Sequence, residues 1–161
     1  MIIRGAKMED VLPLSELCFQ SKAYWGYDDV FMARCMAELN FYPEDIGSTI
    51  IGIAIEDEKM LGVAHLIDKG EMVELDKLFV HPAAMRRGVG AKLFRWGVDQ
   101  YILNYASLSQ QNEETGFRIV ADPFAKDFYC KQGARLIGHV LSETRENRWL
   151  PLFVYEPGSG A

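Results

Sequence analysis

The sequence predicts a single α/β (α+β) domain with a mixed, mostly antiparallel central sheet of about seven strands and helices on both faces. Three observations lead to this fold class. The 161 residues are 49% hydrophobic and 25% charged, which suits one globular core. Three apolar segments between residues 49 and 81 are separated by short turns, which favours an antiparallel meander. A strand–helix–strand unit over 72–121 adds one parallel pair.

The first half of the chain predicts one short strand and two helices ahead of the meander. The elements are a strand at 2–4, a helix from Asp10 to about Gln20, a helix from Asp28 or Asp29 to about Leu39, and strands at about 49–56, 60–68 and 72–81. Aspartates are placed at the helix starts because a short carboxylate accepts hydrogen bonds from the first backbone N–H groups.

The second half predicts a long helix, a short helix and three further strands. The elements are a helix from residue 88 to about 104, a polar loop at 106–116, a strand at 117–121, a short helix at 123–132, and strands near 135–141 and 149–155. Gly133 is expected to end the short helix. The domain then covers 1–157, and 158–161 is expected to be a flexible tail.

Composition argues against several classes of protein. The net charge is −6, whereas a nucleic-acid-binding protein needs a basic footprint. We expect no membrane partner, since no apolar run approaches the roughly 20 residues of a spanning helix and the N-terminus lacks a signal-peptide layout. Cys18, Cys35 and Cys130 are far apart and form no Cys-x-x-Cys pair, and the histidines have no metal-ligand spacing. These features favour a cytoplasmic protein without a metal.

Residues 74–95 carry the clearest chemical signal. A strand runs into a turn containing Gly88 and Gly90, and a helix starts there. Glycine lets backbone N–H groups approach a ligand closely, and a helix N-terminus adds partial positive charge. The segment from Lys77 to Arg95 holds five basic residues and no acidic one. Together these features predict a site for a phosphate or pyrophosphate.

The turn lacks the Walker pattern, and Leu93 stands where a Rossmann turn needs its third glycine. It instead contains Val80-His81-Pro82 followed by Arg87-Gly88-Val89-Gly90-Ala91. These residues resemble the acyl-CoA site of the GNAT N-acyltransferase superfamily, with Met85 where the family usually has Arg or Gln. A second block looks like another signature of this family. Its residues Ala125, Phe128, Tyr129 and Gly133 fall in register, whereas Asp122 replaces the usual Asn and Ala134 the usual Phe.

The chain looks most similar to a bacterial subgroup of this family that carries two further motifs. They are Ser-Lys-Ala-x-Trp-Gly-Tyr-Asp, here Ser21 to Asp28, and Asn/Gly-Arg-x-Leu-Pro, here Asn147 to Pro151. The resemblance, which covers roughly residues 1–155, implies that the chain binds acetyl-CoA and places a backbone oxyanion donor on the fourth strand. The implied cofactor-binding residues are Leu78, Phe79, Val80, Arg86, Arg87, Gly88, Val89, Gly90, Ala91, Asp122, Ala125 and Phe128.

Two proton-transfer groups are needed to acylate an amine from a thioester. A lysine-like amine has a pKa near 10.4, so a base must take its proton at neutral pH. Glu74 corresponds to the frequent base position of the family, and Asp76 lies two residues on, on the same strand face. The alternative is that they lie on a solvated strand face or pair with Lys77 or Lys69. Tyr129 resembles the general acid of the family, and this role is favoured over the alternative of a core aromatic residue packed beside Phe128.

The acceptor site is expected at Trp25, Tyr27 and Asp28, since aromatic faces and carboxylates suit a cationic amine. The alternative is that Asp28 caps a helix and that the two aromatic residues anchor the core. Arg148 could bind an acceptor carboxylate or pair with Glu143 or Glu146.

The sequence therefore predicts an acetyl-CoA-dependent N-acetyltransferase that acts on a primary amine, with a small molecule as the expected acceptor. Two alternatives stay open. One is a non-catalytic domain that binds or senses acyl-CoA, and the other is an acetyltransferase acting on a protein lysine or N-terminus. A protein acceptor predicts an open, shallow groove, whereas a small acceptor predicts an enclosed pocket. A homodimer is also left open.

Overall fold

The computed structural model describes residues 1–107 and 115–158, which form seven strands and four α-helices. In chain order these are β1 (Ile2–Gly5), α1 (Val11–Ala23), α2 (Asp29–Leu39), β2 (Ile50–Glu56), β3 (Lys59–Asp68), β4 (Val73–Val80), α3 (Val89–Asn104), β5 (Phe117–Val120), α4 (Lys126–Lys131), β6 (Arg135–Leu141) and β7 (Trp149–Tyr155). Most of the predicted polar loop 106–116, and all of the predicted tail except residue 158, lie outside the described residues.

One mixed sheet contains all seven strands in the order β1-β2-β3-β4-β5-β7-β6. Every neighbouring pair is antiparallel except β4 and β5, which are connected through α3 and run parallel. The meander β2-β3-β4 and the single parallel pair are those that the sequence predicts, and the predicted fold class is confirmed. None of the helices that the structure describes is long and apolar enough to cross a membrane.

Each face of the sheet has its own hydrophobic core. On one face α3 packs with the β5–α4 region around Leu93, Phe117 and Phe153. On the other face α1 and α2 pack around Leu14, Cys35 and other buried residues. The helices therefore cover both sides of the sheet, as expected for helices that connect its strands.

An aspartate precedes each of the first two helices, but only the one before α2 caps its helix. At α2 the carboxylate of Asp28 accepts a hydrogen bond from the backbone N–H of Phe31 at 2.8 Å, as a helix cap does. At α1 the expected cap is wrong, because the Asp10 side chain makes no capping bond to that helix. It instead accepts two hydrogen bonds from Arg4 and one from the backbone of Lys7. Asp10 thus ties β1 to the start of α1.

A β-bulge in β4 determines which residues point to each face of the sheet. The partners of His65 and Leu66 in β3 are Lys77 and Leu75, so Asp76 is the extra residue. Before the bulge Leu75 packs in the core under α3, and after it Leu78 does so. The alternation of the strand therefore changes phase at Asp76, and Asp76 and Lys77 are brought together on one side.

The parallel strands β4 and β5 separate soon after they meet. Their pairing covers only Val73 with Phe117 and Glu74 with Arg118. β4 continues for six more residues, from Leu75 to Val80, beyond that pairing. Backbone groups on this side of β4 that β3 does not use are therefore free to face a ligand. The gap between the two strands forms the centre of the candidate site.

Candidate active site

A cleft of about 920 Å³ opens where β4 and β5 separate. Its walls come from β4, the N-terminus of α3, the segment from the end of β5 into α4, and the end of α1. The beginning of the β6–β7 connection and Arg148 close one side. The cleft thus brings together parts of the chain that are more than 100 residues apart in sequence.

At one end of the cleft lies the N-terminus of α3. Gly88 has a left-handed backbone conformation (φ +79°), and no side chain caps the helix. The first intrahelical hydrogen bond there is donated by Lys92 to the carbonyl of Gly88. The backbone N–H groups of residues 89–91 therefore have no partner inside the helix, and its first turn holds no acidic residue. This end of the cleft suits an anion.

The second glycine of the turn is required by close packing. A Cβ atom at Gly90 would lie 3.2 Å from the ring of Phe128, which is tighter than ordinary contact. The absence of a side chain lets the start of α3 approach α4 across the cleft. The two sequence blocks that resemble the family signatures therefore meet directly at this point.

The two neighbouring arginines of the turn have different roles. Arg86 lines the cleft and has a left-handed backbone conformation (φ +62°). Such a conformation is uncommon outside glycine and is often found at ligand-binding loops. Arg87 points elsewhere, since its guanidinium pairs with Glu56 at the end of β2, 2.5 Å away. The sequence predicts that Arg87 binds the cofactor, but its guanidinium pairs with Glu56 and does not belong to the described lining of the cleft. The side chain of Arg86 is available to bind an anion there.

Every other predicted cofactor residue lines the cleft. These residues are Leu78, Phe79, Val80, Arg86, Gly88, Val89, Gly90, Ala91, Asp122, Ala125 and Phe128.

Glu74, the predicted base, lines the cleft on the side that faces α1 and α2. Its carboxylate is half-buried and makes no hydrogen bond or ion pair with any residue in 1–107 or 115–158. Burial raises the pKa of Glu74 above its ordinary value, with nearby Lys69 acting in the opposite direction. An accessible carboxylate with a raised pKa is a stronger base than an ordinary one.

Asp76, the alternative base, also lines the cleft but is already engaged. Its Oδ2 atom lies 2.6 Å from Nζ of Lys77 and 3.7 Å from Nδ1 of His65. His65 is buried, and the same burial lowers its pKa to about 4, so the ring is neutral at pH 7. Asp76 already accepts a hydrogen bond from Lys77, whereas Glu74 has no such partner among the described residues. The geometry therefore favours Glu74.

Tyr129, the predicted acid, is only 6% exposed, and the accessible part lines the cleft. Its hydroxyl makes no hydrogen bond with the described residues, and the oxygen is not completely buried. The hydroxyl is therefore open to a ligand in the cleft. Burial raises the pKa of Tyr129, so its proton is retained at neutral pH. Cys130, next to it, is exposed.

The predicted acceptor residues do not share one environment. Trp25 is 40% exposed and lines the cleft, where its ring stacks on Phe124 with centroids 5.1 Å apart. Tyr27 packs against Phe31 and does not reach the described lining of the cleft, and neither does Asp28. Asp28 caps α2, as the alternative interpretation had it. Of the three residues, Trp25 belongs to the described lining of the cleft, whereas Tyr27 and Asp28 do not.

Asp122 is the centre of a charged network that the sequence did not predict. Its carboxylate accepts a hydrogen bond from the hydroxyl of Tyr27 at 2.8 Å. Lys22 and Arg148 each lie 3.4 Å from the same carboxylate. Arg148 also donates to the Tyr27 hydroxyl at 2.7 Å and pairs with neither Glu143 nor Glu146 among the residues described. The sequence signal for this network is Asp122 itself, which stands where the family usually has asparagine. A partly buried carboxylate at that position needs cations nearby.

No group of three or more His, Cys, Asp or Glu side chains suited to a metal occurs in the described parts of the chain.

Comparison with known proteins identifies the family. The model of the acetyltransferase (GNAT) domain family matches residues 29–156. A search of curated protein sequences finds no match.

Several solved structures have the same fold. PaiA N-acetyltransferase from Thermoplasma acidophilum, in complex with coenzyme A, superposes with a TM-score of 0.69 at 16% identity, covering 96% of this chain and 98% of that one. The yncA protein of Salmonella typhimurium, with acetyl-CoA, gives 0.62 at 17% identity over 96% and 91%. The ribosomal-protein-S18-alanine N-acetyltransferase of Escherichia coli gives 0.62 at 11% identity over 95% and 90%. With the family model spanning most of its sequence, this chain belongs to the GNAT acetyltransferase family.

Proposed function

We propose that this protein is an acetyl-CoA-dependent N-acetyltransferase that moves an acetyl group to the primary amine of a small molecule, with Glu74 as base and Tyr129 as acid. The single observation that carries the proposal is the position of both side chains. A carboxylate and a phenol that have no hydrogen bond or ion pair with the described residues line one cleft, and its end is a helix N-terminus that no described side chain caps. Solved structures of the same fold contain coenzyme A or acetyl-CoA.

The residues at the anion end fit the pyrophosphate of coenzyme A. The free N–H groups at residues 89–91 and the side chain of Arg86 supply donors and positive charge. The acyl arm would then extend along β4, toward the region where that strand has separated from β5. This places the reacting end of the ligand near Glu74 and Tyr129 and the phosphates at the start of α3.

The chemistry requires the attacking nitrogen to lose two protons, the departing thiolate to gain one, and one oxyanion to be stabilised. The thioester supplies the acetyl group. Glu74 accepts a proton from the ammonium of the acceptor, directly or through a water, and releases it to solvent, so that a neutral amine can attack. A backbone N–H on the open side of β4 near residues 78–80 donates to the developing oxyanion. As the C–S bond breaks, Tyr129 donates its proton to the departing thiolate, which leaves as a thiol, and the second proton of the nitrogen restores Tyr129.

A small acceptor is favoured because contacts bridge the cleft on the acceptor side. The Trp25–Phe124 stack and the Tyr27–Asp122 hydrogen bond both join the α1–α2 connection to the segment that follows β5. A protein segment would need an open groove at this point. A small amine fits an opening bounded by such contacts, so it is the acceptor class that we propose.

The deciding experiment is a thiol-release assay with acetyl-CoA and a panel of primary amines. We expect at least one amine to give sustained release of coenzyme A and an acetylated product in stoichiometric amounts. Calorimetry of coenzyme A binding runs in parallel. Tight binding of coenzyme A without turnover on any small amine or on peptides would instead identify a binding or sensing domain. Turnover on peptides alone would contradict the small-molecule acceptor.

A further inference from the structure

Two sequence motifs that lie far apart in the chain meet at Asp122. Lys22 and Tyr27 belong to the segment from Ser21 to Asp28, and Arg148 belongs to the segment from Asn147 to Pro151. In the structure all three contact the carboxylate of Asp122. Neither the base nor the acid of the proposed reaction belongs to this cluster, so proton transfer does not explain its presence beside the cleft.

The cluster carries an excess of positive charge. Lys22 and Arg148 share the single carboxylate of Asp122, since the third partner, Tyr27, keeps its proton. Burial and the hydrogen bond to Asp122 both raise the pKa of the Tyr27 hydroxyl. The cluster itself thus holds two cations and one carboxylate, and Glu38 is a further carboxylate within electrostatic range of both cations. The carboxylate of a ligand would add a direct partner for the two cations.

The guanidinium of Arg148 is held in a fixed orientation. It lies over the rings of Tyr27 and Phe31, with its central carbon 5.1 and 4.9 Å from their centroids. Only its Nη2 atom makes hydrogen bonds with the part of the chain that the structure describes. Nε and Nη1 of Arg148 are not completely buried, so a ligand in the cleft can reach them. Stacking thus orients a planar group whose Nε and Nη1 donors have no partner among the described residues.

Both cations of the cluster reach the cleft. Lys22 and Arg148 line it, with side chains 12% and 14% exposed. The carboxylates of Glu38, Glu74 and Glu143 line the same cleft. Burial raises the pKa of Glu38 and of Glu74, and both lie within electrostatic range of Glu143, but Glu38 also lies within range of Lys22 and Arg148. The acceptor side therefore has a cationic part, which Glu38 borders, and an anionic part with Glu74 and Glu143.

We propose that the acceptor carries a carboxylate in addition to its amine, as an amino acid does, and that Lys22 and Arg148 bind that carboxylate. The inference rests on the proposed function and names its acceptor class. The ammonium of the acceptor lies toward the glutamates and its carboxylate toward the guanidinium, so the two charges orient the amine for attack. A simple alkyl or aromatic amine without a carboxylate would have no group to accept from Nε and Nη1 of Arg148.

The test compares free amino acids with their carboxamides, which keep the amine and the side chain but lack the negative charge. In the thiol-release assay we expect kcat/KM to be at least tenfold higher for the best acid than for its amide. Arg148→Gln should reduce this ratio close to one, chiefly through the KM of the acid. Arg148→Lys keeps the charge without the planar donor pair and should retain part of the preference.

Arg145→Gln is the matched control. Arg145 also lies over the ring of Phe31, 5.9 Å from its centroid, but it does not belong to the described lining of the cleft. The ratio should be unchanged in this variant. Equal use of acid and amide by the wild-type protein, or an equal effect of both glutamine variants, would overturn the inference and leave acetyl transfer itself intact.

A binding measurement keeps the inference testable if no acceptor is acetylated. Calorimetry of acids and amides with the protein and coenzyme A together should show tighter binding of the acids, and this preference should be weaker in Lys22→Met. Binding without any preference for the acids would overturn the inference. Thermal unfolding of each variant shows whether it is folded, and Arg148→Lys replaces Arg148→Gln if the latter is not.

Discussion

The hydroxyl of Tyr27 lies 2.8 Å from Oδ2 of Asp122, across a sequence separation of 95 residues. This bond joins the connection between α1 and α2 to the segment that leads from β5 into α4. It lies beside the stack of Trp25 on Phe124, which joins the same two segments. The acceptor side of the cleft is therefore shaped by contacts between its two walls, and Tyr27 acts on the site through Asp122.

Negative charge at position 88 should prevent coenzyme A from binding. Gly88→Asp and Gly88→Asn are a matched pair, since both side chains tolerate a left-handed backbone and differ mainly in charge. We expect calorimetry to show at least tenfold weaker binding for Gly88→Asp than for Gly88→Asn, because the carboxylate would face the pyrophosphate. Gly47→Asp, with a similar positive φ away from the cleft, serves as control. Equal affinity of the two Gly88 variants would contradict the assigned anion end.

Loss of the Tyr129 hydroxyl should slow catalysis without affecting cofactor binding. Tyr129→Phe keeps the ring that packs between Phe94 and Phe153, so the fold should be preserved. We expect kcat to fall about 10²-fold, the scale of a lost general acid, while coenzyme A affinity changes little. Tyr105→Phe, which removes a partly buried hydroxyl away from the cleft, is the control. Wild-type turnover in Tyr129→Phe would remove Tyr129 from the mechanism.

Glu74→Gln should lower activity and raise stability at the same time. Burial raises the pKa of Glu74 in the folded protein, so its ionisation lowers the free energy of unfolding as pH rises through that raised pKa. At pH 7 the glutamine variant lacks this ionised carboxylate and should have a higher melting temperature. Its kcat/KM should fall by about 10²-fold or more.

The acid limb of the rate profile tests the same residue. In the wild-type protein, activity should decline as pH falls through the raised pKa of Glu74, and this limb should be absent in Glu74→Gln. Glu71→Gln, at an exposed position in the β3–β4 turn, is the control for both measurements. An unchanged limb in Glu74→Gln would assign the base to another group.

The order of the elements and the anion end could be predicted from the sequence because local signals determine them. Short turns specify the meander, and the glycines at 88 and 90 specify a helix start that lies open to a ligand. The bulge at Asp76 could not be predicted in this way. It depends on the register between β3 and β4, which is a property of two strands together.

The acceptor side was predicted less well, because it depends on contacts between distant segments. Asp28 carries the same local signal whether it caps a helix or faces a ligand, and only the fold decides between them. Arg87 and Arg86 are equivalent in sequence, yet one pairs with Glu56 and the other lines the cleft. The cluster around Asp122 joins three segments, so no single pattern in the chain contains it.

Buried His65 should make the protein less stable at mildly acidic pH. Its Nε2 atom contacts the hydroxyl of Thr49 at 2.8 Å, and Nδ1 has no hydrogen bond within the described residues. Burial and Lys77 lower its pKa from 6.5 to about 4, while Asp76 acts in the opposite direction. The unfolded chain therefore binds the proton more readily, so stability is lost as pH falls from about 6.5 toward about 4.

The measurement is the melting temperature between about pH 5 and 7, where His65 titrates in the unfolded chain. His65→Gln, whose amide can still meet Thr49, should flatten this dependence. His139→Gln, on the exposed side of β6, should leave the dependence as it is in the wild-type protein. A parallel decline in wild type and His65→Gln would exclude His65 as the cause.

Trp25 should determine how tightly the acceptor is held. Its ring is stacked on Phe124 and meets Tyr24 edge-on, so one face is covered by protein while 40% of the residue stays exposed beside the cleft. Trp25→Ala removes an apolar wall from the acceptor side but nothing from the anion end. We expect the acceptor KM to rise tenfold or more, equivalent to about 1.4 kcal/mol, and the KM for acetyl-CoA to stay nearly constant.

Two further variants test whether the effect comes from the Trp25 stack. Trp25→Phe, which can keep the stack on Phe124, should restore most of the acceptor binding that Trp25→Ala loses. Trp149→Ala, an exposed tryptophan on β7 outside the described lining of the cleft, should leave both KM values unchanged. If Trp25→Ala instead raised the KM for acetyl-CoA alone, the stack would border the cofactor rather than the acceptor.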